Sequence, residues 1–136
     1  MLTHKGMEVF GIDPSYFNRA MEVLYDTIFI GIGIGECLTD RLDTSLGHEI
    51  GRKEALLDDV ERDSSTMSFC FFAKFSFDDL KNLPDYYGYP TISESALFDK
   101  NGAMLFRSAH SWNHAKTVKK GDNIDIKMKV SIPNFT

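Results

Sequence analysis

The chain has 136 residues, of which 43% are hydrophobic and 12% aromatic, and its formal net charge is −5. This length allows one domain with one core, and the hydrophobic fraction excludes a disordered chain. Binding a phosphate backbone requires a basic face, so the acidic balance argues against nucleic acid as the main partner. We therefore expect a single soluble domain over residues 1–136.

The cysteines and the N-terminus indicate where the protein acts. Cys37 and Cys70 have neither a metal-ligand spacing nor a disulfide framework, which predicts reduced thiols in a cytosol. No apolar run reaches the ~18 residues of a membrane span, and residues 1–7 lack the apolar core of a signal peptide. We expect no membrane partner, and a protein that stays in the cytoplasm where it is made or leaves inside a particle.

The first predicted element is a helix over residues 14–25. Asp13 can cap it, and Pro14 suits the first helical turn. Four apolar side chains then fall on one face, as a helix lying on a sheet requires: Phe17, Ala20, Met21 and Leu24.

Residues 27–35 predict an unusual strand. Isoleucine occupies every second position, and glycine fills three of the gaps. Successive strand residues point to opposite faces, so one face is isoleucine and the other is nearly bare backbone. That bare backbone makes Gly31 and Gly33 candidates for close contact with a partner chain. A dinucleotide site is not expected, because no βαβ pattern follows these glycines.

Most of the remaining chain is also predicted as strands. The polar segment 36–51 is expected to be a long excursion, and residues 52–61 fit a short helix or a twisted strand equally well. Alternation and turn residues predict four further strands, two of them joined by a hairpin at Asn101-Gly102: 66–77, 91–98, 103–108 and 123–132. The fold class is thus mainly β, a β-sandwich or curled antiparallel sheet with one short N-terminal helix.

Alternation also predicts the buried residues. The core is expected to contain these apolar side chains: Ile30, Ile32, Phe69, Phe71, Phe75, Phe98, Ile124, Ile126 and Met128. Glu94 shares its strand face with apolar residues, so it should point inward, and a buried carboxylate requires a partner. We predict a structural ion pair between Glu94 and Arg52; the alternative is that Glu94 is an active-site acid.

The loop before residue 91 is the main predicted partner-binding site. Tyr86, Tyr87 and Tyr89 lie between two prolines, and tyrosine is enriched at interfaces. The alternative is that these tyrosines fold back over the open end of the sandwich. Trp112 is a further candidate for partner binding, and with Tyr86 and Tyr89 it could instead line a glycan or ligand pocket.

No catalytic constellation emerges from the sequence. His110 and His114 have the spacing of a zinc ligand pair, but a third ligand is not identifiable, so we expect solvated histidines, no metal and no cofactor. No serine lies in a nucleophile elbow. We expect that the protein is not an enzyme, although an unrecognised hydrolase stays an alternative.

Several segments together resemble the phage tail-collar fibre domain, found near the N-terminus of phage tail fibre proteins. An isoleucine-glycine strand comes first, a segment with Leu, Glu and Arg follows, and an E-x-x-LFD-x-x-G hairpin leads to an alternating last strand. The matching segments are 29–33 (FIGIG), 43–46 (DTSL), 49–52 (EIGR), 92–105 (ISESALFDKNGAML) and 125–131 (DIKMKVS).

The resemblance implies a role in joining parts of a phage particle. No fibre shaft follows the last strand, so we expect an adaptor, a collar or neck component, a fibre-attachment module or a capsid decoration. It would be located in the virion, as a symmetric homo-oligomer that also contacts other virion proteins, and no catalytic residues are implied. The alternative function is a small glycan- or ligand-binding β-sandwich module.

Overall fold

The computed structural model describes residues 3, 6, 17–35, 43–83, 90–109 and 116–133. These residues form a mainly β protein with two principal antiparallel sheets and one short helix. The fold class expected from the sequence is therefore confirmed.

The strands are numbered in chain order. They are β1 (Phe29–Gly33), β2 (Glu49–Glu54), β3 (Leu56–Arg62), β4 (Thr66–Ser76), β5 (Thr91–Ile92), β6 (Glu94–Phe98), β7 (Met104–Ala109), β8 (Lys116–Thr117) and β9 (Asn123–Pro133). A four-stranded sheet has the order β2-β1-β6-β7, and a three-stranded sheet has the order β3-β4-β9. Strands β5 and β8 form a separate two-stranded ladder.

Turn chemistry explains two of the connections. Gly102 has a positive φ of 85°, and the carboxylate of Asp99 accepts the N–H groups of Asn101 and Ala103 at 2.9 Å each. These bonds form the predicted β6–β7 hairpin. Gly121, with a φ of 91°, lies in the turn that precedes β9.

The helix α1 (Phe17–Tyr25) lies within the predicted range, whose first residues 14–16 are outside the described part of the chain. It buries Ala20 and Leu24 in the main core. No helix among the described residues combines the length and the apolar character needed to cross a membrane.

The two sheets bury one main core between them, with β4 and β9 contributing alternate side chains. All the predicted core residues are buried, and all but Phe98 belong to this core. Phe98 packs on the opposite face of the four-stranded sheet, with Leu46, Ala96 and Met104. The reason is that β6 turns Leu97 toward the main core, so that its neighbour Phe98 must point the other way.

The structure decides one open alternative and moves the end of one strand. The ambiguous segment 52–61 is extended, because it pairs with β1 and β4 as parts of β2 and β3. The long strand ends at Ser76 and not at Phe77, since Asp79 accepts the Ser76 N–H at 2.7 Å and the chain turns there as a short 3-10 helix.

Candidate functional site: a buried charge cluster

The second face of the four-stranded sheet carries a buried charge cluster formed by Asp43, Glu94 and Arg107. The Arg107 guanidinium donates to Glu94 at 2.8 Å and to Asp43 at 2.9 Å. The Glu94 side chain is fully buried, and that of Arg107 is 2% exposed. Glu94 comes from β6, Arg107 from β7 and Asp43 from the segment before β2, so the cluster ties this segment to the sheet.

The Glu94 carboxylate is saturated with hydrogen-bond donors. Its Oε1 accepts the Gly47 N–H at 2.8 Å as well as Arg107. Its Oε2 accepts the N–H groups of Gly35 at 2.8 Å and His48 at 2.9 Å. Burial alone would raise the pKa of Glu94, but the Arg107 guanidinium and these three N–H groups outweigh it and hold the pKa below its ordinary value.

The prediction that Glu94 points inward is confirmed, but the prediction that Arg52 is its partner is wrong. Across the sheet, Arg52 lies opposite Gly31, whereas Glu94 lies opposite Gly33. Arg107 is on the strand directly beside Glu94, opposite Ala96, and so reaches the carboxylate diagonally. Counting residues back from the Asn101-Gly102 hairpin would have placed Arg107 beside Glu94.

Arg52 takes part in a neighbouring contact instead. Its guanidinium donates to the Glu49 carboxylate at 2.7 Å, and its central carbon lies 3.5 Å above the centre of the Phe98 ring. Stacking of a guanidinium on an aromatic face is favourable in this geometry. Arg52 is about one-third exposed, and it covers Phe98 at the edge of the cluster.

The glycine face of β1 is covered by the chain itself. Gly31 and Gly33 are both buried. A Cβ atom on Gly31 would lie 2.7 Å from the Phe98 ring, and one on Gly33 would lie 2.6 Å from the His48 carbonyl oxygen and would overlap the Glu94 carboxylate. Gly31 and Gly33 therefore do not form the exposed partner-binding surface that the sequence suggested. Their bare backbone makes room for Phe98 and Glu94.

Four of the five segments that carry the tail-collar resemblance meet on this face, and the fifth, 125–131, lies in β9 of the three-stranded sheet. β1, the segment with Leu46, Glu49 and Arg52, and the β6–β7 hairpin lie side by side. Leu46 packs with Phe98 in the smaller apolar cluster. Residues more than 40 positions apart in the sequence thus form one continuous structural unit.

Tyr86, Tyr87 and Tyr89, and likewise Trp112, are outside the described residues, as are His110 and His114. Within the described ranges, no group of three or more His, Cys, Asp or Glu side chains is placed to hold a metal ion.

The geometry limits what this cluster can do chemically. A general acid or base must reach the proton it transfers, but the Glu94 side chain is fully buried and each of its oxygens already accepts two hydrogen bonds. A cleft of about 190 Å³ adjoins Glu49 and Arg52, which is smaller than the roughly 300–1,000 Å³ of typical ligand pockets. Both observations favour a structural role for the cluster.

Comparison with known proteins adds no relative. No protein-family model matches the chain, and no curated protein or solved structure matches it either. The tail-collar resemblance therefore rests on the residues described above.

Proposed function

We propose that this protein is a structural component of a bacteriophage virion that joins other particle proteins through protein–protein contacts. It would serve as an adaptor, a collar or neck component, a fibre-attachment module or a capsid decoration. The observation that carries the proposal is the meeting of four of the five tail-collar-like segments in one unit, with Glu94 and Arg107 at its centre.

The chemistry of that unit fits a module that binds rather than catalyses. The buried charges are paired with one another and with backbone N–H groups. Separating one member of such a pair from the other costs several kcal/mol of folding free energy, so the cluster holds the segment 43–48 against the sheet. A rigid surface of this kind keeps its shape in the free protein and loses little entropy when it binds a partner.

The proposal is tested on particles of the phage whose genome encodes the chain. Particles are purified through a density gradient, washed at high salt and probed for the protein. We expect the chain to sediment with the particles and to resist the wash. A chain that is abundant in the lysate and absent from the washed particles would overturn the proposal, and binding of that free protein to glycans would favour the ligand-binding alternative.

A further inference from the structure

The edges of the two sheets differ in how they are protected. Along β2, the Lys81 N–H donates to the Ile50 carbonyl at 2.7 Å, and along β7 the Thr3 N–H donates to the Leu105 carbonyl at 3.2 Å. The edge strand β3 is interrupted by an irregularity between Leu57 and Asp59. Cover and irregularity are two of the devices by which proteins block strand addition.

Among the described residues, the edge of β9 shows neither of these two devices. All eleven of its residues pair with β4 in unbroken register. On its other side, no described residue pairs with it. A long, regular, unpaired edge offers N–H and C=O groups to an added strand.

We propose that β9 pairs with β9 of a second copy of this chain, antiparallel and with Ile126 opposite Ile126 of the partner subunit. The two three-stranded sheets would then become one six-stranded sheet with a two-fold axis at Ile126. This inference deepens the proposed function, since it names the surface by which copies of the module associate. Only the role of this contact in a phage particle rests on the proposed function.

The charges on the exposed face of β9 select this register. That face carries Asn123, Asp125, Lys127, Lys129 and Ser131, all exposed. With the axis at Ile126, Asp125 lies opposite Lys127 of the partner subunit, and the pair occurs twice. No like charges then lie opposite each other, and cross-strand pairs of opposite charge are favourable.

Other registers of this strand pairing place like charges opposite each other or mismatch the two faces of the sheet. An axis at Lys127 would place this lysine opposite its own copy, and an axis at Met128 would place Lys127 opposite Lys129 twice. An axis at Asp125 would oppose two aspartates. A pairing shifted by one residue would set exposed side chains against buried ones, because successive side chains alternate between faces.

Two further observations agree with the axis at Ile126. The paired stretch would run from Asn123 to Lys129 and would end before Pro133, which has no N–H to donate. Within the chain, Asp125 lies opposite Lys74 of β4, whereas Lys127 lies opposite Phe72 of β4. No ion pair joins Lys127 to an acidic side chain among the described residues, so the partner's Asp125 would supply one.

A charge exchange tests the register in the isolated protein. Sedimentation equilibrium should show a dimer of the wild-type chain. Lys127→Asp places carboxylates opposite Asp125 in both pairs and should weaken the dimer about tenfold or more. The double variant Asp125→Lys with Lys127→Asp restores both opposite-charge pairs and should recover wild-type affinity. Lys120→Asp makes the same charge change at an exposed turn outside the paired stretch and should leave the dimer unchanged.

A cross-link gives an independent readout, in case a charge variant folds poorly. In a background with Cys37→Ser and Cys70→Ser, the pair Asp125→Cys with Lys127→Cys should give a covalent dimer on mild oxidation. Directly opposed residues of antiparallel strands have Cα atoms ~4.5–5.5 Å apart, within the range of a disulfide. Ser131→Cys alone should give none, because its two copies would be roughly 33 Å apart along the strands.

Three results would overturn the inference: a wild-type chain that is monomeric at the highest attainable concentration, a folded double charge variant that does not recover the dimer, or the absence of the cross-link. Each concerns only contacts between copies. The association of the chain with phage particles is measured separately, so failure here is distinguishable from failure of the proposed function.

Discussion

The substitution Glu94→Gln removes the charge at the centre of the buried cluster without changing the size of the side chain. In the native protein, Oε1 accepts hydrogen bonds from Gly47 and Arg107, and Oε2 accepts them from Gly35 and His48. Glutamine keeps one acceptor oxygen and replaces the other by an N–H donor group. Two of the four donors therefore lose their acceptor, whichever way the amide is turned.

The expected loss follows from these contacts. A buried donor left without an acceptor costs ~1–3 kcal/mol, so two of them cost ~2–6 kcal/mol. A second estimate of the same loss comes from buried ion pairs, in which removing one partner costs ~3–5 kcal/mol. We therefore expect Glu94→Gln to lower the free energy of unfolding by ~3–5 kcal/mol, a large part of the ~5–15 kcal/mol that stabilises a typical domain.

Urea unfolding of the variant and of a matched control measures this loss. Glu61→Gln is the control, because the Glu61 carboxylate lies 3.4 Å from Lys129 and both side chains are more than half exposed. A surface pair of this kind is worth under ~1 kcal/mol. The reasoning is refuted if Glu94→Gln costs under ~1 kcal/mol, or no more than the control.

Three further changes test other parts of the structure. Phe71→Ala should lower the free energy of unfolding by ~3–5 kcal/mol, because it deletes a ring that is 1% exposed in the main core; a loss under ~1 kcal/mol in urea would mean that this face is not the core. Gly33→Ala should destabilise the protein and shift its thermal midpoint downward, since the new methyl group would lie 2.6 Å from the His48 carbonyl oxygen; an unchanged midpoint would contradict the described close approach. Asp63 accepts the N–H groups of Ser65 and Thr66, which lower its pKa to about 2 from 3.8. A carboxylate whose pKa is lowered by folding stabilises the protein at pH values above its unfolded-state pKa. This stabilisation is lost as the pH falls through the folded-state pKa. The wild-type urea midpoint should therefore fall more steeply than that of Asp63→Asn between pH ~4 and ~2, and parallel curves would contradict this assignment.

Local patterns predicted most of the fold. The alternation in 66–77 and 123–132 identified the two long strands because apolar residues occupy one buried face of each. The other face is exposed in 123–131 and mostly half-buried in 66–76. Asn101-Gly102 located the hairpin because Gly102 adopts a positive φ. Segment 52–61 stayed ambiguous because its extended form depends on pairing with β1 and β4, and its own apolar pattern does not identify these partners.

The candidate site was only half predictable for the same reason. Alternation shows that Glu94 points inward, and the hairpin register places Arg107 beside it. Whether Arg52 also reaches Glu94 depends on the order of β2, β1 and β6, which local sequence does not contain. The bare backbone of Gly31 and Gly33 shows that something approaches closely. Whether that group belongs to a partner or to the same chain depends on how the segment 43–48 folds back.

The proposed role of the protein is that of a structural part of a phage particle. It is tested most directly by counting copies of the chain in purified particles by quantitative mass spectrometry. We expect a fixed number per particle, in a whole-number ratio to a structural protein of known symmetry. A copy number near zero, or one that varies between preparations, would contradict it.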